Sequence, residues 1–319
     1  MIMPVLHLLL DCSGSFQRLT SNFYLYLYFT AMSEALFKDV LLPITLVIVT
    51  TGLGLSITLS EIRDVYLKPK SLIIGFLSQM LILPLIALII ALITRLEPVF
   101  AVGLMIIALC PGGASTNLLS YMLKTNVALS ISITVANSLF STVKVPILVS
   151  LTMLIFMDEK TRIPMQIGGS ILKIFLLTVL PAATGILIRR WKPKFADSLK
   201  EPLRYILPIL LLAVYAGVIF LKDDDSQGSF HTFLYLIPFT FALNLFSMIA
   251  GYYIPAMFNL EKRNKVTITI EVGLQNSTLA IVVANTFLKN NDMALVAVVY
   301  GSFSFFTTWL FGYIAKRYL

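Results

Sequence analysis

The sequence predicts an all-α polytopic membrane protein, and three observations carry that expectation. Of 319 residues, 58% are hydrophobic and only 13% charged, where a soluble domain carries roughly 25% charged residues. Apolar runs recur along the chain, most of them near the roughly 20 residues that cross a bilayer as a helix. Lysine and arginine fall between those runs, in short connections. The net charge of +8 therefore reads as a topology signal and not as a nucleic-acid footprint.

The chain begins with a stretch that does not fit. Residues 1–31 comprise a short apolar run from Met1 to Leu10, a polar piece with Arg18, and an aromatic cluster from Phe23 to Phe29. Neither apolar piece is long enough to span, and no small-residue cleavage site follows a basic start. The region is expected to be an N-terminal extension or a start placed too early, with Met32 as the true beginning. From Val40 onward, charged or proline-bearing breaks bound apolar runs at 41–59, 71–93, 99–123, 127–157, 166–188, 205–221, 233–258, 266–288 and 293–314. These predict nine transmembrane helices, or ten if the N-terminal region supplies one.

Orientation follows from the cations. The richest basic cluster is expected to be a cytoplasmic loop: Arg189, Arg190, Lys192, Lys194, Lys200 and Arg204. Alternation puts Arg63, Lys68, Lys70, Lys124, Lys262, Arg263, Lys265, Lys316 and Arg317 on the same side, fifteen in all. The other side takes six, namely Lys38, Arg95, Lys160, Arg162, Lys222 and Lys289, with the acidic run Asp223 to Asp225. This imbalance places the C-terminus in the cytoplasm.

Two of the spans are interrupted. Within 99–123, Cys110-Pro111-Gly112-Gly113-Ala114-Ser115-Thr116-Asn117 breaks the apolar run, because proline removes a backbone donor and glycine permits non-helical dihedrals. Within 266–288 the interruption is Glu271-Val272-Gly273-Leu274-Gln275-Asn276-Ser277. Asn117 and Asn276 lie about 160 residues apart, close to half the chain. Paired breaks at corresponding positions of two halves point to an inverted-repeat transporter with a midplane site. The repeats would cover 32–158 and 159–319. Glycine and proline are common in transmembrane helices, but two polar-rich breaks at half-length spacing are a more specific pattern.

Glu271 is the residue that most needs a partner, since a charge at the bilayer centre costs about 2.5–3.5 kcal/mol on insertion scales. The polar residues within reach of the same reading are Gln79; Ser115, Thr116 and Asn117; Ser130 and Thr134; Gln275, Asn276 and Ser277. Ser130 and Thr134 are four apart, hence on one helix face. All of these groups offer oxygen, and none is a thiolate or imidazole. Oxygen-only sites suit hard cations, and unwound helix frees carbonyls for the same use. An alkali cation is the expected partner of Glu271. For Ser130 or Thr134 alone, an interhelical hydrogen bond of under about 2 kcal/mol explains the hydroxyl equally well. Amide NH2 groups and the N–H groups at half-helix N-termini could separately receive an anionic substrate group.

The first break, followed by Asn126-Val127-Ala128-Leu129-Ser130, and the later Glu271-to-Ser277 motif together resemble the bile acid:sodium symporter family. Leu53-Gly54-Leu55, Lys68-Pro69-Lys70 and Gln79 before Leu83-Pro84 fit the same register, so the resemblance covers roughly residues 40–315. It implies two inverted five-helix repeats forming a panel and a core domain, two broken helices crossing in the core, and sodium-coupled uptake by alternating access. It also implies two coupling Na+ ions. One would take Thr116, Asn117, Ser130, Thr134 and Glu271; the other Gln79, Glu271 and Gln275 with carbonyls near Val272 and Leu274. Asn276, Ser277 and the backbone of Gly113, Ala114 and Ser115 would face the substrate. Members commonly have serine where Thr116 stands, and bacterial members threonine where Ala114 stands. Ten-helix members have a clear first helix, which residues 1–31 do not supply, so a nine-helix form with a non-cytoplasmic N-terminus is expected.

Lys144 lies deep inside 127–157, before Pro146, where a lysine is expensive. It either snorkels toward a water-filled crevice or serves as counter-ion to an acidic substrate or neighbouring carboxylate. The expected substrate is a small organic anion, bile acid-like, pantoate-like or another carboxylate. Efflux of arsenite or antimonite is an alternative that would want thiols, and only Cys110 lies near a break. Cys12, Cys110, His7 and His231 are too scattered for a zinc site or a disulfide framework. A membrane enzyme is disfavoured, since no aspartate pair, Ser–His pair or histidine cluster falls within the spans. Membrane lipids are the surroundings, and neither nucleic acid nor a protein partner is required. With no extended cytoplasmic tail and no usable extracellular sequon, a bacterial inner (plasma) membrane is the expected location.

Overall fold

The computed structural model describes residues 36–56, 69–161, 163, 166–220 and 226–318. The expectations for residues 1–31, Arg63, Lys68, Arg162, Lys222 and the acidic run lie outside them. All elements among the described residues are helical. In chain order they are α1 Asp39–Ser56 and α2 Pro69–Thr94, α3 Pro98–Leu109, α4 Ala114–Met122, α5 Val127–Phe156 and α6 Ile167–Trp191. There follow α7 Pro193–Phe220, α8 Ser226–Met257, α9 Lys262–Gly273, α10 Ser277–Val282 and α11 Asn291–Tyr318.

Seven spans among the described residues are long and apolar enough to cross a membrane, with α9 and α10 counted as one, and eight if α3 and α4 form another. The nine expected from sequence are therefore reached only in part. The missing one, 205–221, falls on α7, which is not among the seven, and Leu221 lies outside the described residues. The basic stretch after Arg190 is also not a loop. It starts α7 at Pro193, a residue whose fixed φ and missing N–H suit a first helical position.

Burial sorts the spans. Within its apolar 18-residue stretch the α9–α10 span, Lys262–Phe287, is 94% buried, against 22–50% for the corresponding stretches of the other six, so the broken helix is the axis around which the rest assemble. Perimeter helices turn apolar side chains outward, as with Ile73, Leu77, Leu81 and Leu85 on α2, a surface suited to lipid. Helices α1 and α6 approach closely because both carry glycine at the crossing. A Cβ at Gly54 would strike the Ala182 carbonyl, and one at Gly185 the Thr51 carbonyl, the small-residue packing common between membrane helices.

Prolines shape two helices without ending them. Pro84 and Pro181 lack the N–H that would bond the carbonyl four residues back, and each follows a π-helical turn, Ser78–Ile82 in α2 and Phe175–Val179 in α6. In α6 the Leu177 carbonyl, freed by Pro181, accepts the Thr50 hydroxyl of α1 at 3.3 Å. In α2 the widened turn carries Gln79 into the interior, consistent with the functional use of such bulges.

Candidate ion and substrate site

The two breaks meet. Helix α3 ends at Cys110, Pro111 to Gly113 run in non-helical conformation, and α4 leaves at 59° to α3. Helix α9 ends at Gly273, Leu274 is extended (φ −128°, ψ 110°), and Asn276 caps α10 through Leu279 N–H to Asn276 Oδ1, 3.0 Å. The Asn276 N–H donates to the Pro111 carbonyl at 2.9 Å, so each break satisfies a backbone group of the other. Asn126 caps α5 in the same manner, accepting from Leu129 N–H at 3.1 Å.

Glu271, in the last turn of α9, is 0% exposed. Its carboxylate accepts the Ser130 hydroxyl at 2.5 Å and the Thr134 hydroxyl at 3.1 and 3.0 Å, both from α5. Thr116 on α4 lies 3.3 Å from the Thr134 hydroxyl and donates to the Gly113 carbonyl at 2.8 Å. Asn117 Oδ1 sits 2.9 Å from Ser130 Oγ. A serine has one proton, so Asn117 and Glu271 compete for it. All five residues of the first expected ion set are thus together. Two hydroxyl protons are a small return for a buried carboxylate, and neither donor is a cation. Gly112 lets the break approach: a Cβ there would lie 2.6 Å from Glu271 Oε2.

The second expected set also converges. The Gln79 amide Nε2 donates to the Glu271 carbonyl and to Gln275 Oε1, both at 3.0 Å. Gln275 Nε2 donates to the carbonyls of Glu271 (3.2 Å) and Val272 (2.9 Å). Leu274 carries the chain out of the helix beside them. In this arrangement amide N–H groups cap the freed carbonyls. Among the residues expected to face substrate, Gly113 lies against Asn276: a Cβ built on it would lie 3.8 Å from the Asn276 Cβ. Ser115 is exposed, Ala114 and Asn276 half-buried, and Ser277 buried, with Ser277 hydrogen-bonded to the Tyr215 side chain of α7.

Several participants escaped the sequence reading. Asn137 Nδ2 donates to Gln79 Oε1 at 2.7 Å, fixing the amide that lies over the break. The Gly273 carbonyl, orphaned where α9 ends, receives Asn244 Nδ2 (2.6 Å), Tyr300 hydroxyl (2.7 Å) and Thr308 hydroxyl (3.1 Å). Asn137 was readable as the next step of the Ser130–Thr134 face, and Asn244 as a lone amide inside an apolar span. Ser130, Thr134, Asn137, Ser141 and Lys144 recur at steps of four and three, hence along one face of α5, and all are buried.

Lys144 is 7% exposed and its Nζ has no hydrogen-bond partner, so in this conformation it does not snorkel into solvent. It lies within electrostatic reach of Cys110, which is wholly buried and unpaired. Among the described residues no group of three or more His, Cys, Asp or Glu is placed to hold a metal. Any ion here must be one that hydroxyl, amide and carbonyl oxygens can hold, which favours an alkali cation over a transition metal.

A probable chloroplastic sodium/metabolite cotransporter of Arabidopsis thaliana is 26% identical over 254 residues, covering 80% of this chain and 61% of its own length. An uncharacterized sodium-dependent transporter of Bacillus subtilis is 25% identical over 243 residues, 76% of this chain and 73% of that one. The ileal sodium/bile acid cotransporter of Mus musculus is 25% identical over 272 residues, 84% and 75%. The chain spans only about three-fifths of two plant relatives, 61% and 57% of their lengths. The model of the sodium bile acid symporter family matches residues 43–229, which takes in the first break and the hydroxyls of α5 but stops short of Glu271. More than half the chain is matched in this way, and the chain belongs to the sodium bile acid symporter family.

Proposed function

We propose that this protein carries a small organic anion across its membrane together with sodium, by alternating access of a core built on the two broken spans. The observation that carries the reading is Glu271, wholly buried where both breaks meet and held only by hydroxyl donors. A buried carboxylate is tolerable if a cation shares its site, and the surrounding donors are all oxygen. The relatives named as sodium-dependent transporters support the same ion.

Two sodium positions would share Glu271. Thr116, Asn117, Ser130 and Thr134 would complete the first. For the second, turning the Gln275 amide about its terminal bond, with release of its bond from Gln79, replaces an N–H by an oxygen beside the Glu271 and Val272 carbonyls. One carboxylate between two cations leaves a net positive charge, which favours an anion next to it. The exposed Ser115, the Asn276 amide and the backbone at Gly113 and Ala114 would receive that anion, and the unpartnered Lys144 ammonium would serve as counter-ion to an acidic group of the substrate. The panel and core division, the inverted repeats, the cytoplasmic C-terminus and a plasma-membrane location belong to this reading. Cys110 is buried away from any opening, which supports an organic anion over a metalloid.

The test has two stages. Purified protein is screened for carboxylates that raise its melting temperature only when sodium is present. The best of them is then followed into proteoliposomes. Uptake driven by an inward sodium gradient and collapsing when potassium or choline replaces sodium is the expected result; uptake indifferent to the cation overturns the proposal.

A further inference from the structure

A cavity of about 270 Å³ lies at the end of α9 opposite to Glu271, lined by Lys124, Thr125, Lys262, Arg263, Val266 and Lys316. Four of its six lining residues are cations and none is an acid. They come from three places: the turn after α4, the first turn of α9 and the last turn of α11. Two are tethered. Arg263 donates to the Thr125 carbonyl at 2.9 Å and Lys316 to the Leu123 carbonyl at 2.8 Å.

Those bonds cap the free carbonyls at the end of α4, an ordinary role for cations near a helix C-terminus. Capping accounts for Arg263 and Lys316 but not for Lys124 and Lys262, whose ammonium groups have no ion-pair or hydrogen-bond partner among the described residues. It also leaves most of the five Arg263 donors unused. Lys262 and Arg263 moreover occupy the first turn of α9, where the helix dipole disfavours positive charge and the N-cap Glu261 is the one acid at that end of the helix. Four like charges gathered against these terms are complemented by one multivalent oxyanion.

We propose that this cavity binds the phosphate headgroup of an anionic phospholipid. The lipid source is favoured by the chain neighbours of its cations. Tyr121 and Met122 precede Lys124, and Tyr313, Ile314 and Tyr318 surround Lys316; all five are exposed, the aromatic and apolar rim expected at headgroup depth. With the orientation proposed above, the cavity faces the cytoplasmic leaflet, where anionic lipids attract basic pockets between helices. One headgroup there would tie together the outer ends of α4 and α9, which carry the two breaks, and α11, which supplies Tyr300 and Thr308. The lipid braces the core.

The experiment compares the full chain in nanodiscs of phosphatidylcholine alone and with phosphatidylglycerol, reading melting temperature and, by native mass spectrometry, lipid retained after detergent washing. Wild type should gain several degrees and keep at least one phosphatidylglycerol. Lys262→Gln with Arg263→Gln should lose most of both, while Arg190→Gln with Lys194→Gln, basic residues outside the cavity, should lose neither. Equal gains in all three proteins would mean general attraction to a negative surface and would overturn the site. So would the absence of any gain. Inorganic phosphate in phosphatidylcholine discs, at ionic strength matched with chloride, tests the other source: a full gain from phosphate alone overturns the lipid. None of these readouts requires transport, so the outcome is independent of the sodium reading.

Discussion

The two breaks differ in what breaks them. The first is made by its own backbone: Pro111 removes a donor, Gly112 and Gly113 follow, and α4 departs at 59°. The second contains one glycine and no proline, and its span remains straight enough to pass as a single crossing, Lys262–Phe287. It is held open from outside, by Asn244, Tyr300 and Thr308 on the Gly273 carbonyl and by Gln79 and Gln275 on the carbonyls before it. The first break would persist in almost any surroundings. The second depends on its neighbours, and so it is the one whose geometry a bound ion or substrate can alter.

Gly112→Ala tests the first region and should have the largest effect. Its Cβ would press on the Glu271 carboxylate at 2.6 Å, so the sodium concentration for half-maximal uptake should rise at least about tenfold, about 1.4 kcal/mol. An unchanged sodium dependence would show that the breaks do not need close approach. Asn244→Leu tests the second. It deprives the Gly273 carbonyl of a donor and the Thr307 hydroxyl of the nearest of its three acceptors, at 2.7 Å, and a denaturation midpoint should report a loss of about 1–3 kcal/mol. Lys144→Met removes a buried ammonium without emptying its volume. Half-saturating substrate should rise several-fold with half-saturating sodium unmoved; a parallel shift in both would tie Lys144 to the ion instead. Tyr300→Phe should be mildest, about 1 kcal/mol or less, because two other donors remain on the Gly273 carbonyl.

The same contrast explains what was legible in the sequence. Pro111-Gly112-Gly113 announces a break through local backbone chemistry, and Glu271 announces itself through the expense of a charge in an apolar span. Ser130 and Thr134 follow from helical spacing, and the structure does bring them to that carboxylate. Tyr300 and Thr308 carry no such signal, and the lone amide of Asn244 marks a polar position without naming its partner. Each is a single polar group in an apolar helix, and its task is defined only by which orphaned carbonyl the fold places opposite it. The start of α7 was misread for a related reason: its cations look like a loop, while Pro193 and the partly buried Arg189, paired with Asp197, belong to a folded surface.

The central claim is that Glu271 is compensated by sodium, and binding without transport tests it most directly. Melting temperature would be followed for wild type and Glu271→Gln as sodium replaces potassium at constant ionic strength, with no substrate present. Wild type should gain stability with the logarithm of sodium concentration once above its dissociation constant. The variant should show no gain and, with its buried charge removed, should be at least as stable as wild type in potassium alone. An equal sodium-dependent gain in both proteins would contradict the account.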